Sequence, residues 1–359
     1  MATRNASDLL EELCQRTKLD CDTMDLDFVK EFTAKRGKFA DCTSNQSIAY
    51  AEASRKDSSG NYVHEDLIKQ AAKYAQEVID ESGSAGLSRE TLAVEFLVRL
   101  PYSFNSPIVK LLLRFIPYLD GYVLLQIDPK SAYDTDKIVA TAERILAMVK
   151  KSDPDFDSKR ICFKIVSTYP GLAAAKILED KGIATLGTAL FCMEQASLAG
   201  HMGCTYISPY FNELKVHFDK NFRDENKATD LCRDATAYFE AHHQKTKVKA
   251  ASFVSAEEVM NHAGVDYITV FPSIIKELAE KPILDMQLMD VGKYMRPPPI
   301  SPVGIWKGYE EAVEGGQQKW EEVFNASKKG DNARKLTEAI QTFSGEQDKL
   351  EDLIRKVAA

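Results

Sequence analysis

The chain has no CxxC pair, no long uninterrupted apolar run and no concentrated basic face, and each absence removes a class of protein. Its seven cysteines, Cys14, Cys21, Cys42, Cys162, Cys192, Cys204 and Cys232, are odd in number and scattered. They suggest neither a disulfide framework nor a zinc site, and read as reduced thiols in a cytoplasmic setting. The most apolar stretch, Ile108 to Leu125, is broken by Lys110, Arg114, Pro117 and Asp120, so no membrane span is expected. The N-terminal MATRNASDLLEEL turns acidic and helical where a signal peptide would need an apolar core, so no targeting segment is expected. A net charge of -8 and a pI near 5.5 argue against a nucleic-acid partner. No GxGxxG follows a strand, and P-loop, GxSxG and HExxH motifs are missing. Of the six histidines, His242 and His243 stand together on a polar helix and are expected to face solvent. Neither a metal nor a cofactor is expected.

What is present is a chain of 359 residues, 44% hydrophobic, enough to bury the core of one large barrel or of two ordinary domains. Short β-rich runs alternate with longer helical patterns, as in parallel sheets with crossover helices. Eight such runs are legible, at 18–23, 38–45, 122–128, 161–167, 182–190, 204–210, 248–254 and 267–273. Between them lie segments of helical periodicity such as LAAAKILEDKG and SAEEVMNHAG, with Gly182 and Gly264 where helix-ending glycines belong. Eight strand–helix units match a closed (β/α)8 TIM barrel, class α/β, better than an open doubly wound sheet. We expect a single barrel domain over 1–359, with an insert at about 46–120 containing the flexible-looking KDSSGNY, and 306–359 as a C-terminal helical extension. The last segment, DNARKLTEAIQTFSGEQDKLEDLIRKV, is patterned as a helical hairpin packed on the barrel.

In such a barrel the side chains at the C-terminal ends of the strands converge on the active site. The polar residues there are Asp22, Asp41, Thr43, Asn45, Gln126, Asp128, Lys164, Ser167, Thr188, Ser208, Tyr210 and Ser252. Lys164 stands out, because Ile161, Phe163, Ile165 and Val166 around it read as a buried parallel strand. Burial lowers a lysine's pKa and yields a nucleophilic amine, although a structural lysine paired with an acid fits the same pattern.

Several of these segments resemble the signature segments of the transaldolase family, in the family's order and across most of the chain. ADCTSNQSIAYAEA (40–53) is similar to the family's DATTNPSLI-type motif, with Gln46 where a proline is usual. FKIVSTYPGLAAAKILEDKGI (163–183) resembles the segment carrying the Schiff-base lysine. GHMGCTYISPYFNEL (200–214) is similar to the ISPF segment, KAASF (249–253) to the GASF strand and KLDCDTMDLDF (18–28) to the DTGD-type strand. The resemblance implies that Lys164 forms a Schiff base with a ketone and that Asp22 moves the proton during carbon–carbon bond cleavage. It also implies that Asn45, Thr188 and Ser208 hold the substrate's hydroxyls, with Thr43 supporting Asn45 or Lys164 and Ser252 among the binding residues. A small carbonyl compound is then the partner, in a chain that the family would suggest is a homodimer.

The departures from the family pattern matter as much. Gln126 stands where a glutamate usually manages the catalytic water, and Tyr210 where phenylalanine is usual; the combination resembles the fructose-6-phosphate aldolase branch. Glu213 and Val254 replace two arginines that usually grip a sugar phosphate, and Leu186 replaces an asparagine. The expected function is therefore a Schiff-base aldolase or lyase acting on a non-phosphorylated carbonyl compound, in specialised metabolism. The alternatives are a pentose-phosphate transaldolase and a catalytically silent barrel.

Overall fold

The computed structural model of the chain describes residues 6–82, 86–99, 113–296 and 306–358. Eight strands are hydrogen-bonded in chain order and close on themselves as a parallel barrel. They are β1 (Lys18–Asp22), β2 (Cys42–Thr43), β3 (Val123–Gln126), β4 (Ile161–Val166), β5 (Ala184–Leu190), β6 (Tyr206–Pro209), β7 (Lys247–Ala250) and β8 (Tyr267–Val270), each on one of the eight expected runs. Helices alternate with the strands, the arrangement of a (β/α)8 barrel. The apolar stretch starting at Ile108 begins outside the described residues. Among those described, no helix is long and apolar enough to cross a membrane.

Packing divides the chain into two compact units. The first comprises Met1–Asp22, Ala132–Thr135 and Lys164–Ile340, and so holds β1, β5 to β8 and the second half of β4. Here β4 is buried along its whole length and passes into the helix Tyr169–Asp180 through Thr168, whose hydroxyl caps the helix at Gly171 N (2.9 Å). A Cβ on Gly171 would lie 2.2 Å from the Val166 carbonyl, so glycine is what allows this helix to start so close to the strand. Helices Lys307–Glu314 and Gly316–Ala326 belong to the same unit. Trp320 anchors the second of them: it is buried, stacks on Phe324 (4.9 Å), lies 5.8 Å from Tyr169, and donates its indole N–H to the Glu194 carbonyl (2.8 Å).

The second unit comprises Thr23–Ser131, Asp136–Phe163 and Gln341–Ala359. Phe28, Phe32 and Phe39 pack together under its first helix, with Phe32 and Phe39 stacked at 4.0 Å. The insert forms helices Gln46–Ala53, Glu65–Ser82 and Arg89–Arg99. KDSSGNY is an ordered turn: Asp57 accepts from the Ser59 and Asn61 amides, and Lys56 pairs with Tyr62. Local hydrogen bonding by an aspartate is what shapes such a turn in a polar, small-residue segment.

The expected C-terminal hairpin is corrected to one continuous helix, Asp331–Val357. The segment contains no proline, and Gly345 alone costs only about 1 kcal/mol in a helix interior. The change of direction falls earlier, at Ser327–Gly330, where Lys328 and Lys329 adopt left-handed backbone. His242 is likewise only partly open to solvent, contacting Glu310 (2.6 Å) and stacking on Tyr238 (4.0 Å). Among the cysteines Cys14 is exposed and the other six are buried.

Trp320→Ala should lower stability by about 3 to 5 kcal/mol, since it removes a large buried side chain and leaves a cavity. Urea unfolding checks this; a loss below about 1 kcal/mol would mean that the tail adds little to the unit it packs on.

Candidate active site

Side chains alternate in facing along a strand, so Asp20 and Asp22 share one face of β1, and Tyr206, Ser208 and Tyr210 share one face of β6 and its extension. In the first unit this alternation gathers Asp22, Lys164, Thr188, Ser208 and Tyr210 near the C-terminal ends of β1, β4, β5 and β6. Lys164 is 5% exposed, between the fully buried neighbours Phe163 and Ile165. Burial pushes its pKa down; the Asp22 carboxylate opposes this, and Lys249 adds to it.

Asp22 moves the other way, up to about 6, because burial disfavours the carboxylate more than Lys164 stabilises it. The residue as a whole is only partly buried, but its Oδ1 is shielded and accepts no hydrogen bond among the described residues. Each group thus approaches neutral pH from its own side, the arrangement suited to a nucleophilic amine beside a proton-transfer acid.

Tyr210 follows β6, its amide donating to the Leu190 carbonyl (2.9 Å) and its ring set edge-on to Phe191 (5.5 Å). Its hydroxyl lies 3.2 Å from the Thr188 hydroxyl. Burial raises the Tyr210 pKa and the Asp22 charge adds to it, while the bond to Thr188 opposes both, so the phenol keeps its proton. Ser252, in left-handed backbone after β7, has its hydroxyl 2.9 Å from His217 Nε2 and its carbonyl bonded by Asn212. Burial lowers the His217 pKa despite the Glu258 charge. Ser252 is therefore part of a hydrogen-bonded loop corner.

The second unit holds Thr43, Asn45 and Gln126. Thr43 is buried, and its carbonyl accepts from the Thr23 amide (3.2 Å). Asn45 caps the helix Gln46–Ala53, its Oδ1 accepting from Ile48 N (3.0 Å). The capping oxygen is thereby committed, and the side-chain amide N–H groups are what remain for a ligand. Asp41 accepts from the Tyr122 amide, and Asp128 from the Lys130 amide (2.9 Å), so both order loops. Gln126 donates to Gln46 Oε1 (2.6 Å), and both glutamines are buried. Gln46 was noticeable in the sequence only as a missing proline; its role as Gln126's partner needed the fold, although two amides replacing two family residues were the available signal.

Glu213 is 5% exposed and is not a bare charge: it accepts from Arg334 (2.7 Å), which also bonds Asp331 and Glu338. Val254 is 48% exposed and borders a cavity of about 930 Å³ that Arg223, Lys227 and Lys328 also line. Lys227 is paired with Glu258 (2.7 Å).

A parallel eight-stranded barrel with a buried, mutually tuned lysine and aspartate at its strand ends has the layout of an aldolase of the imine-forming kind. The family model described as transaldolase/fructose-6-phosphate aldolase matches residues 19–354, and the chain belongs to that family. It is similar to transaldolase A of Shigella flexneri, 25% identical over 354 residues that cover 96% of this chain and 98% of the relative. A transaldolase of Prochlorococcus marinus (strain MIT 9211) is 27% identical over 359 residues, covering 98% and 95%. A transaldolase of Vibrio campbellii (strain ATCC BAA-1116) is 28% identical over 356 residues, covering 97% and 98%. These identities make the chain a divergent member, a transaldolase-like aldolase.

Because Asp22 holds its proton to about pH 6 when folded and to 3.8 when unfolded, it destabilises the fold as pH rises from about 4 to about 6 and by a constant amount above. The penalty vanishes only below about pH 3, where both states are protonated. Asp22→Asn should accordingly stabilise the chain by about 2 kcal/mol at pH 7.5 and by almost nothing at about pH 3. Equal effects at the two pH values in urea unfolding would show that the carboxyl is not shifted.

Proposed function

We propose that the chain makes or breaks a carbon–carbon bond of a small, non-phosphorylated carbonyl compound through an imine on Lys164. The observation that carries this is the buried Lys164 with its pKa pushed down beside Asp22 with its pKa pushed up. The neutral Lys164 amine attacks the ketone carbon, and loss of water leaves an iminium ion. Asp22 takes the proton from the hydroxyl on the carbon to be released. The carbon–carbon bond then breaks, an aldehyde departs, and the electron pair remains as an enamine on Lys164. Protonation of the enamine and hydrolysis of the iminium free the ketone and the amine; attack of the enamine on a second aldehyde would be transfer.

Tyr210, fixed by Thr188, is suited to hold the water that protonates the enamine, with Gln126 as a neutral partner in that task. Thr188, Ser208, Thr43, Asn45 and Ser252 are the proposed hydroxyl-binding set. The absence of arginine at 213 and 254 supports a substrate without phosphate. We read the chain as one barrel domain extended by residues 306–359, a cytoplasmic enzyme that acts as a homodimer in specialised metabolism. A pentose-phosphate transaldolase is the second reading, favoured by the cationic side chains of Arg223, Lys227 and Lys328 around the cavity beside Val254.

Borohydride reduction in the presence of dihydroxyacetone, hydroxyacetone or fructose 6-phosphate, followed by peptide mapping, separates these. An adduct on Lys164 from the unphosphorylated ketones alone is expected; an adduct from fructose 6-phosphate would restore the transaldolase. Lys164→Met should abolish both adduct and turnover while the protein stays folded, and retained turnover would overturn the mechanism. Tyr210→Phe should slow deuterium exchange at the ketone's α-carbon by about 10²-fold with less effect on bond cleavage. Equal slowing of the two steps would deny Tyr210 its part in protonation.

A further inference from the structure

One step toward the N-terminal ends of the strands, below Asp22 and Ser208, the barrel interior carries a second set of polar groups. Asp20 is two residues before Asp22 and Tyr206 two before Ser208, so by strand alternation both point inward about 7 Å below the upper layer. From β7, Lys249 reaches across β8 to the Asp20 carboxylate, with which it forms an ion pair; Thr269 Oγ1 lies 3.5 Å from the same carboxylate. The Lys249 ammonium also sits over the rings of Tyr206 (4.2 Å) and Tyr267 (4.3 Å), which meet edge to face at 5.0 Å. Lys249 is 1% exposed and Asp20 fully buried.

Barrel layers of this kind are ordinarily filled by branched apolar side chains. A buried ion pair is weak evidence for stability, since apolar residues of similar volume commonly do as well or better. A lysine clamped by a carboxylate and two aromatic faces is, however, a fixed positive charge that cannot swing away or be screened by water.

We propose that Lys249, locked by Asp20, Tyr206 and Tyr267, is a positioning residue whose fixed charge keeps the Lys164 amine neutral and able to attack. This rests on Lys164 being the imine-forming amine. A neighbouring cation is one of the established ways to activate such a lysine. Asp22 favours the Lys164 ammonium and Lys249 disfavours it; Asp20, bound to Lys249, is the opposite charge in the layer below, and the Tyr210 phenol keeps its proton. Lys249 therefore offsets the ammonium-stabilising effect of the aspartate that the chemistry requires.

The test compares wild type, the apolar pair Asp20→Val/Lys249→Met, and Lys249→Arg, which keeps the charge. For each, cyanoborohydride trapping of hydroxyacetone on Lys164 is followed by intact mass and peptide mapping from about pH 6 to about pH 10. Thermal unfolding of each shows that it is folded. In the double variant, which removes the Asp20 charge along with that of Lys249, the trapping midpoint should move up by about half a pH unit, giving about threefold slower trapping at pH 7 and an unchanged alkaline plateau. Lys249→Arg should keep the wild-type midpoint. A folded double variant whose pH profile superimposes on wild type overturns the proposal and leaves the imine chemistry standing. Absence of a Lys164 adduct in wild type at every pH, or an adduct on Lys249, overturns both together.

Discussion

A lysine in the dry interior of a parallel barrel is the constraint around which the chain is arranged. Burying an ammonium without compensation costs far more than any single packing contact returns, so Lys164 must either find an acid or give up its proton. Asp22 offers the acid, and the same burial that weakens Lys164's hold on its proton strengthens Asp22's. The two oppose each other: the lysine keeps the aspartate's pKa from rising further, and the aspartate keeps the lysine's from falling further. The fold supports the pair through a strand buried at every position and a helix that begins directly after it, brought close by Gly171 and capped by Thr168.

The other polar groups at the strand ends fall into those that the scaffold has already used and those with capacity left. Asp41, Asp128 and the Asn45 oxygen are engaged at loop and helix ends, and the Ser252 hydroxyl makes a hydrogen bond with His217 that leaves capacity for a second. Thr188 and Tyr210 hold one another, and the phenol keeps its proton. Glu213 and Arg334 neutralise one another, and this joins the start of the last helix to the loop after β6. Glu213, which by the resemblance replaces an arginine, is thus a fastening point for the last helix.

The strand positions were legible because each strand is a short apolar run between polar breaks, and the first residues of several, including Lys18 and Tyr267, sit where the pattern begins. Lys164 was legible for the opposite reason: a charge inside an apolar run is conspicuous. What escaped was everything that depends on distance in space. Nothing local marks Lys249 as buried against Asp20, which lies 229 residues away along the chain. At 56–62 nothing in the small polar residues shows that Asp57 organises the turn. The tail was misjudged because helical periodicity does not reveal where a helix stops when no proline or capping residue marks it.

The hydrogen bond between Gln46 and Gln126 has a consequence for substitution, because the two buried amides share it and a change at either is felt by the other. A carboxylate at 126 could still accept from the Gln46 amide, which can turn over and donate. A proline at 46 would instead remove the acceptor that Gln126 now uses. The two positions are therefore coupled, and the cost of changing one depends on which residue stands at the other.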